Sequence, residues 1–336
     1  MKSRFVAVFC YSMKEGIHML NNLNRFIQRW MPLLTPLSLI IGVLFEEVGQ
    51  HLLFLVAWLF AFMTFVSGLK MSFRDVKVFV NYPKTILFTI AFLHIMMPLW
   101  AYFLSQWIFD DHLLTIGFIL SVAVPTGVTS VIWVTIGRGN IPLCLAIILI
   151  DTLLAPIVMP ALLHLFVGET IQIDTAGLIT DLIWMIVLPS ILGMVLNELS
   201  KGEVQRRFGA TLAPLSKLCL FGVIMINSSA IAPYLKNINS ELAYVIAMVF
   251  VLAVSGYLFA FIIGYIVWKD LTIATTFLFT AGMRNIAVGV IIATTYFPAK
   301  VAMPVVFGML FQQVLASVFN KLNERKLHVK EKSHVM

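Results

Sequence analysis

At residues 121–133 the chain reads SVAVPTGVTSVIW, and at 277–289 it reads FLFTAGMRNIAVG. Each stretch places helix-disturbing residues in the middle of a long apolar run. Pro125 has no backbone N–H to donate, and Gly127 and Gly282 lower the cost of leaving helical geometry. In hydrocarbon, freed backbone groups are costly unless they line a cavity or meet a partner. We therefore predict two broken transmembrane helices that build a binding site near the membrane midplane.

Apolar runs recur along the whole chain. Of its 336 residues, 60% are hydrophobic and only 12% carry a charge, too few to cover a soluble protein of this size. Each run is close to the ~20 residues that cross ~30 Å of hydrocarbon. The predicted spans are 32–46, 52–68, 84–106, 113–136, 141–166, 177–196, 214–233, 243–267, 271–297 and 302–320.

The two disturbed runs are the fourth and the ninth of these ten predicted spans, the same place in each set of five. That symmetry predicts an inverted repeat of residues 32–166 and 177–320 within one transmembrane domain at 32–320. Residues 1–31 are predicted to form an amphipathic cytoplasmic segment, and residues 321–336 a basic cytoplasmic tail.

Basic residues set the orientation. Of the 23 lysines and arginines, all but Lys236, Arg284 and Lys300 fall in the two terminal segments or in alternate connections. Both termini are therefore predicted to face the cytoplasm of a multi-pass protein in the plasma (cell inner) membrane. The net charge of +7 is a topology signal with some attraction to anionic lipid, and it does not indicate nucleic-acid binding.

Other function classes find no support in the residues. Cys10, Cys144 and Cys219 are too widely spaced for a metal cluster or a disulfide framework. The chain has no Walker loop, no HExxH and no CxxCH, so neither ATP-driven pumping nor zinc proteolysis is predicted. No enzyme and no resident cofactor is expected.

Four motifs resemble the bile acid:sodium symporter family. PTGVTSVIWVTIGRGN (125–140) is similar to the family's P-G-G-T-A-S-N segment and the residues that follow it, and TAGMRN (280–285) to its E-x-G-M-Q-N. GLKMSFRDV (68–76) and MMP (96–98) resemble the family's second connection and third helix. The resemblance covers most of residues 32–320 in the same order.

This resemblance implies an all-α integral membrane fold of ten helices in two inverted five-helix repeats. A panel domain would face a core domain whose broken helices cross, and rocking between them would give alternating access. The substrate implied is a small organic anion, bile-acid-like or a smaller carboxylate. The predicted substrate and crossover residues are Thr126, Gly127, Thr129, Ser130, Thr280, Gly282, Arg284, Asn285 and Gln312.

The positions that match the family's sodium ligands depart from its pattern. Family members hold two sodium ions with oxygen ligands, and this chain has Leu93, Val131 and Ile148 at three of those positions. The other matching positions hold Ser130, Cys144 and Thr280. Since sodium needs several oxygens to replace its water, and Arg284 would repel the ion, sodium coupling is doubtful and no metal site is predicted.

Arg284, Asp151 and His94 are the titratable residues that lie deep in predicted spans. A charge at a helix centre costs about 2.5–3.5 kcal/mol, so Arg284 should face the interior and have a partner. We hypothesise that its guanidinium replaces bound sodium, with Asp151 as counter-ion or proton site and His94 as a second proton site. A static bridge between Arg284 and Asp151, or direct substrate contact by Arg284, are the alternatives.

A secondary transporter of a small organic anion without sodium coupling is thus the leading functional prediction. The alternatives are a conventional sodium symporter with altered ligands and, less favoured, a channel or sensor on the same scaffold. Asn227, Ser228 and Ser229 are expected to serve packing, and either Gln312 or Gln313 is expected to face the cavity.

Overall fold

The computed structural model describes residues 2–167, 174–236 and 240–333, and in these residues every regular element is a helix. In chain order the α-helices are α1 (Lys2–Leu44), α2 (Glu46–His51), α3 (Leu53–Gly68), α4 (Phe73–Asn81), α5 (Pro83–Ala91), α6 (Met97–Ile108), α7 (His112–Ala123), α8 (Ser130–Ile136), α9 (Ile141–Val167), α10 (Thr175–Leu182), α11 (Leu188–Leu199), α12 (Glu203–Lys236), α13 (Ser240–Val267), α14 (Leu271–Gly282), α15 (Ile286–Tyr296) and α16 (Ala299–Ser333).

Six of the described helical segments are long and apolar enough to cross a membrane, or seven if the bent α1 is included. The six are Pro83–Ile108, Ile141–Phe166, Thr175–Leu199, Glu203–Pro233, Ser240–Val267 and Ala299–Lys326. Four apolar helices of 10–17 residues accompany them: α3, α7, α14 and α15. The prediction of an all-helical, multi-pass membrane protein is confirmed.

Several helices run beyond the predicted spans. Helix α1 begins at Lys2 instead of residue 32, and its segments Asn22–Met31 and Leu33–Leu44 meet at an angle of 75°. The bend falls at Pro32, which has no N–H to donate. Helix α16 likewise continues through the predicted tail to Ser333. Residue 1 and residues 168–173, 237–239 and 334–336 lie outside the described part of the chain.

Two further features were not predicted. Phe73–Asn81, within a predicted connection, forms the separate helix α4. Single π-helical turns, Phe92–Met96 and Ile183–Val187, join α5 to α6 and α10 to α11. Each is followed by a proline, Pro98 or Pro189, which cannot donate the next helical hydrogen bond, so the backbone widens locally.

Glycines bring the helices on one side of the molecule into backbone contact. A Cβ at Gly42 would lie 2.0 Å from the Met225 carbonyl oxygen, so α1 rests directly on α12. A Cβ at Gly68 would lie 2.3 Å from the Ser190 oxygen, which holds α3 equally close to α11. Close approach at small residues is how helices pack where apolar burial gives no net drive. These helices form one wall of the cavity described below.

Candidate functional site

The two predicted breaks meet each other. Helix α7 stops at Ala123 and α8 starts at Ser130, while α14 stops at Gly282 and α15 starts at Ile286. Between them Thr126 and Arg284 form an isolated antiparallel β-bridge. The Gly127 amide donates to the Met283 oxygen at 3.0 Å, and the Asn285 amide donates to the Pro125 oxygen at 2.7 Å. The crossover thereby supplies partners for backbone groups that the breaks would otherwise leave unpaired.

Side chains reinforce this crossover. Thr126 Oγ1 donates to the Thr280 carbonyl at 3.1 Å, so Thr126 ties the first break to the end of α14. A Cβ at Gly127 would lie 2.8 Å from the Arg284 oxygen, and one at Gly282 would lie 2.5 Å from the Tyr257 ring. Both glycines are therefore needed for close approach.

Asp151, which lies in α9, stabilises the break between α7 and α8. Its Oδ2 accepts the Thr126 amide at 2.7 Å, and its Oδ1 lies 2.5 Å from Nε2 of His94. Asp151 is fully buried and His94 is 4% exposed. His94 sits in the π-helical turn Phe92–Met96, so one carboxylate connects the widened third span to the broken fourth. Two of the predicted coupling residues are in direct contact.

Arg284 occupies the opposite side of the break. Its Nε donates to the Val122 carbonyl at 2.8 Å, in the last turn of α7, where the helix dipole favours a cation. Its amide donates to Gln312 Oε1 at 2.8 Å. Nη1 is buried and has no hydrogen-bond partner among the described residues.

Arg284 and Asp151 form no direct ion pair in the described part of the chain, although their charges interact through space. The Asp151 oxygens are taken by the Thr126 amide and His94, and the Arg284 Nε is taken by α7. Asp151 and Arg284 therefore contact the α7–α8 break through different residues, Thr126 and Val122. The direct ion pair between them does not form in the described part of the chain.

The residues at the family's sodium positions cluster around the crossover but offer few free oxygens. Leu93 and Ile148 are fully buried apolar side chains. Ser130 Oγ lies 3.6 Å from Cys144 Sγ, and Thr280 Oγ1 donates to the Thr276 oxygen at 2.8 Å. Loss of sodium binding stays a prediction.

A cavity of about 520 Å³ adjoins the crossover and is also lined by the carboxyl half of α3 and the middle of α12. Six predicted residues line it: Gly127, Thr129, Val131, Arg284, Asn285 and Gln312. Thr126, Ser130 and Thr280 lie buried behind this surface. Gly282 instead lines a second space of about 40 Å³, which Arg284 and Gln312 also border.

The two lysines of the large cavity are the main finding that the sequence did not predict. Among the described residues that line it, Lys70, Lys217 and Arg284 are charged, and none is Asp or Glu. Asn24 and Gln28, from the segment predicted to lie outside the transmembrane domain, line it as well. In the sequence, Lys70 and Lys217 indicate only membrane topology. Nothing in their local pattern indicates a shared cavity.

The remaining polar residues considered from the sequence differ in their hydrogen bonding. Ser228 and Ser229 donate to helix carbonyls one turn earlier, in keeping with the packing role expected of them. Asn227 is buried, and neither its Nδ2 nor its Oδ1 has a partner among the described residues. Gln313 also lines the cavity and accepts a hydrogen bond from Trp133 Nε1 at 3.1 Å.

A sequence model of the Sodium Bile acid symporter family matches residues 57–238, more than half of the chain. The chain belongs to the Sodium Bile acid symporter family. The resemblance seen in the crossover motifs is thereby confirmed, and so is the prediction of a membrane transporter that is not an enzyme.

Relatives in this family cover most of the chain. It is 43% identical to the uncharacterized protein YbaS of Bacillus subtilis (strain 168) over 296 residues, 88% of this chain and 97% of YbaS. It is 25% identical to YocS of the same organism, named an uncharacterized sodium-dependent transporter, over 84% of this chain and 91% of YocS. The probable sodium/metabolite cotransporter BASS1, chloroplastic, of Arabidopsis thaliana is 26% identical over 75% of this chain and 62% of its own length.

Proposed function

We propose that the protein is a secondary active transporter of a small organic anion, bile-acid-like or a smaller carboxylate. One observation carries the proposal: a cavity of about 520 Å³ ends at the crossover and has three cationic side chains and no acidic one among its described lining residues. Its volume is typical of a site for a small organic molecule. Opposite charge in a cleft raises the local concentration of the ligand.

Transport would proceed by alternating access of a core against a panel, in ten spans arranged as two inverted five-helix repeats. Support comes from the two broken spans at matching places, α7–α8 and α14–α15, which pair through their breaks. A site at such a crossing can be exposed to either side when one repeat rocks against the other. The placement of the basic residues and the bacterial relatives support a plasma-membrane location with both termini cytoplasmic.

Arg284 takes the place of a sodium ion in this proposal. Half-helix carboxyl ends coordinate cations in transporters of this kind, and here the guanidinium meets the carbonyl of Val122 in the last turn of α7. A covalently held cation keeps this end of α7 neutralised in every state. Coupling would then pass to the buried pair of His94 and Asp151, because the His94 ring contacts the carboxylate that binds the Thr126 amide.

A conventional sodium symporter is the second candidate, since YocS is named a sodium-dependent transporter and BASS1 a sodium/metabolite cotransporter. Backbone carbonyls at the breaks would have to supply the ligands that the side chains lack. Sodium and proton dependence therefore discriminate between the two candidates.

Purified protein in proteoliposomes tests both. We expect binding and uptake of organic anions from a panel of carboxylates, driven by a pH gradient and unchanged when sodium is replaced by potassium. Arg284→Gln should lower anion affinity at least about tenfold, or about 1.4 kcal/mol. Asn227→Ala, which is not among the residues that line the cavity, is the control variant. Accumulation driven by a sodium gradient alone would refute the coupling proposal, and failure of every organic anion to bind would refute the substrate class.

A further inference from the structure

The outer part of the large cavity carries a positive charge that the crossover site does not explain. Lys70 follows α3, Lys217 lies in α12, and both line the cavity together with Asn24 and Gln28 of α1. These four residues are called the basic rim. They come from α1, from α12 and from the turn after α3, which converge on the cavity from separate parts of the chain.

The two lysines of the rim repel each other and have no acidic partner. The charge of Lys70 acts on Lys217, and no carboxylate among the described residues acts on either. The backbone amide of Lys70 donates to the Ser67 carbonyl, but its ammonium makes no hydrogen bond to a described residue. Two neighbouring cations without a counter-charge are unfavourable, and an anion between them would remove that cost.

Lys217 organises further donors around this position. Its Nζ donates to Asn24 Oδ1 at 2.7 Å, to Gln28 Oε1 at 3.3 Å and to the Asn24 carbonyl at 3.4 Å. Because both side-chain amide oxygens face the ammonium, each amide nitrogen keeps two N–H donors for another acceptor. The rim therefore combines a cation with amide donors, which is the chemistry that binds a carboxylate or another oxyanion.

The cavity is long enough to hold two acidic groups apart. Lys217 and Ile224 both line it from α12, and seven residues of helix extend about 10 Å. A molecule that reaches Arg284 or Gly127 with one end can thus meet the rim with its other end. A monovalent anion can satisfy only one of the two positions.

From this arrangement we propose that the transported solute is dianionic, with one acidic group held near the crossover and the second held by the basic rim of Lys70, Lys217, Asn24 and Gln28. This inference rests on the proposed function and specifies its substrate class. Small molecules of this class include α,ω-dicarboxylates and carboxylates that carry a phosphate or sulfate group.

Calorimetric binding to the purified full chain in nanodiscs of neutral lipid tests the proposal. The probes are straight-chain α,ω-dicarboxylates of increasing length, each compared with its monomethyl ester. We expect one or more dicarboxylates to bind at least about tenfold more tightly than their esters. Lys70→Gln with Lys217→Gln should reduce that preference to about one, because it weakens dicarboxylate binding more than ester binding. Lys269→Gln together with Lys321→Gln, which removes two charges outside the cavity lining, is the matched control.

The outcomes separate this inference from the proposed function. If esters and dicarboxylates bind equally, or if the rim variant weakens both to the same extent, the dianion proposal is wrong and anion transport stands. If neither class binds, the proposed function itself fails. If the preference appears only in neutral lipid and anionic lipid abolishes it competitively, the rim holds a lipid headgroup and the dianion proposal is again wrong. Proper folding of the double variant is checked separately, by its melting temperature.

Discussion

Single side chains decide how the crossover is held. Asp151 stabilises the α7 break by accepting the Thr126 amide, and Arg284 stabilises the same break by donating to Val122. Each residue is almost fully buried, so neither can exchange its partner for water. Removal of one partner leaves a buried polar group unsatisfied, which costs more than the bond itself contributes.

Asp151→Ala should therefore lower thermal stability strongly. It leaves the Thr126 amide and His94 Nε2 without a partner, at about 1–3 kcal/mol for each group. Thermal unfolding in detergent measures the loss. Asp110→Ala, at an exposed position, should change the melting temperature little. Equal melting temperatures for the two variants would contradict the anchoring role of Asp151.

Lys70 makes anion binding sensitive to pH. Burial lowers the pKa of Lys70 below its ordinary value, so its charge is lost at a lower pH than that of a free lysine. No carboxylate among the described residues acts on Lys70 to offset this burial, and the neighbouring charge at Lys217 is a second cation. Dicarboxylate affinity should fall as pH rises from neutral toward the ordinary pKa of lysine, about 10.4. Lys70→Arg should lessen this fall, since arginine stays charged; an identical pH profile would contradict the assignment.

At the scale of helices, the crossover depends on contact between backbones. Residues 124–129 and 283–285 leave helical geometry and form two reciprocal hydrogen bonds, Gly127 to Met283 and Asn285 to Pro125. This contact needs a residue without a Cβ at Gly127, because the Arg284 carbonyl lies against it. The small residue is thus required by the neighbouring helix rather than by its own backbone conformation.

Gly127→Ala should push the α7–α8 break away from the α14–α15 break. The new Cβ would lie 2.8 Å from the Arg284 oxygen, so backbone must shift at a cost of about 1–3 kcal/mol. Anion affinity and melting temperature should both fall. Gly222→Ala is the matched control in α12, where the nearest atom, Leu59 Cδ1, is 3.5 Å away. If Gly127→Ala behaves like Gly222→Ala, the close contact does not matter for function.

At the scale of the whole molecule, the position of the large cavity and the membrane orientation together predict the side of the membrane to which the cavity opens. Lys70 follows the end of α3 and Lys217 lies near the start of the predicted span 214–233, both on the side that the distribution of charge predicts to be cytoplasmic. The cavity should therefore open to the cytoplasm, with Thr129 at its inner end and Asp110 on the opposite side of the membrane.

Thiol labelling tests that orientation in a variant whose three cysteines are replaced. Thr129→Cys should react with a small membrane-impermeant reagent in inside-out vesicles and not in right-side-out vesicles, and an organic anion should protect it. Asp110→Cys should show the reverse pattern. The opposite result for either position would overturn the predicted topology.

Much of the fold could be predicted from local sequence because the bilayer imposes length and polarity on each span. The positions of both breaks, and the involvement of Arg284, Asp151 and His94, likewise follow from Pro, Gly and charged residues in apolar runs. The π-helical turns and helix α4 were missed, since a one-residue widening changes no hydrophobic pattern and α4 lies in a polar connection.

Composition and the order of apolar segments by themselves determined that this is a helical membrane protein with two interrupted spans. Tertiary structure alone decided the partners of the charges: Asp151 with His94 and Thr126, Arg284 with Val122, and Lys217 with Asn24. Those contacts join residues up to 193 positions apart. Periodicity is a property of neighbouring residues, whereas a binding cavity depends on which distant helices pack together, so only the folded chain could reveal it.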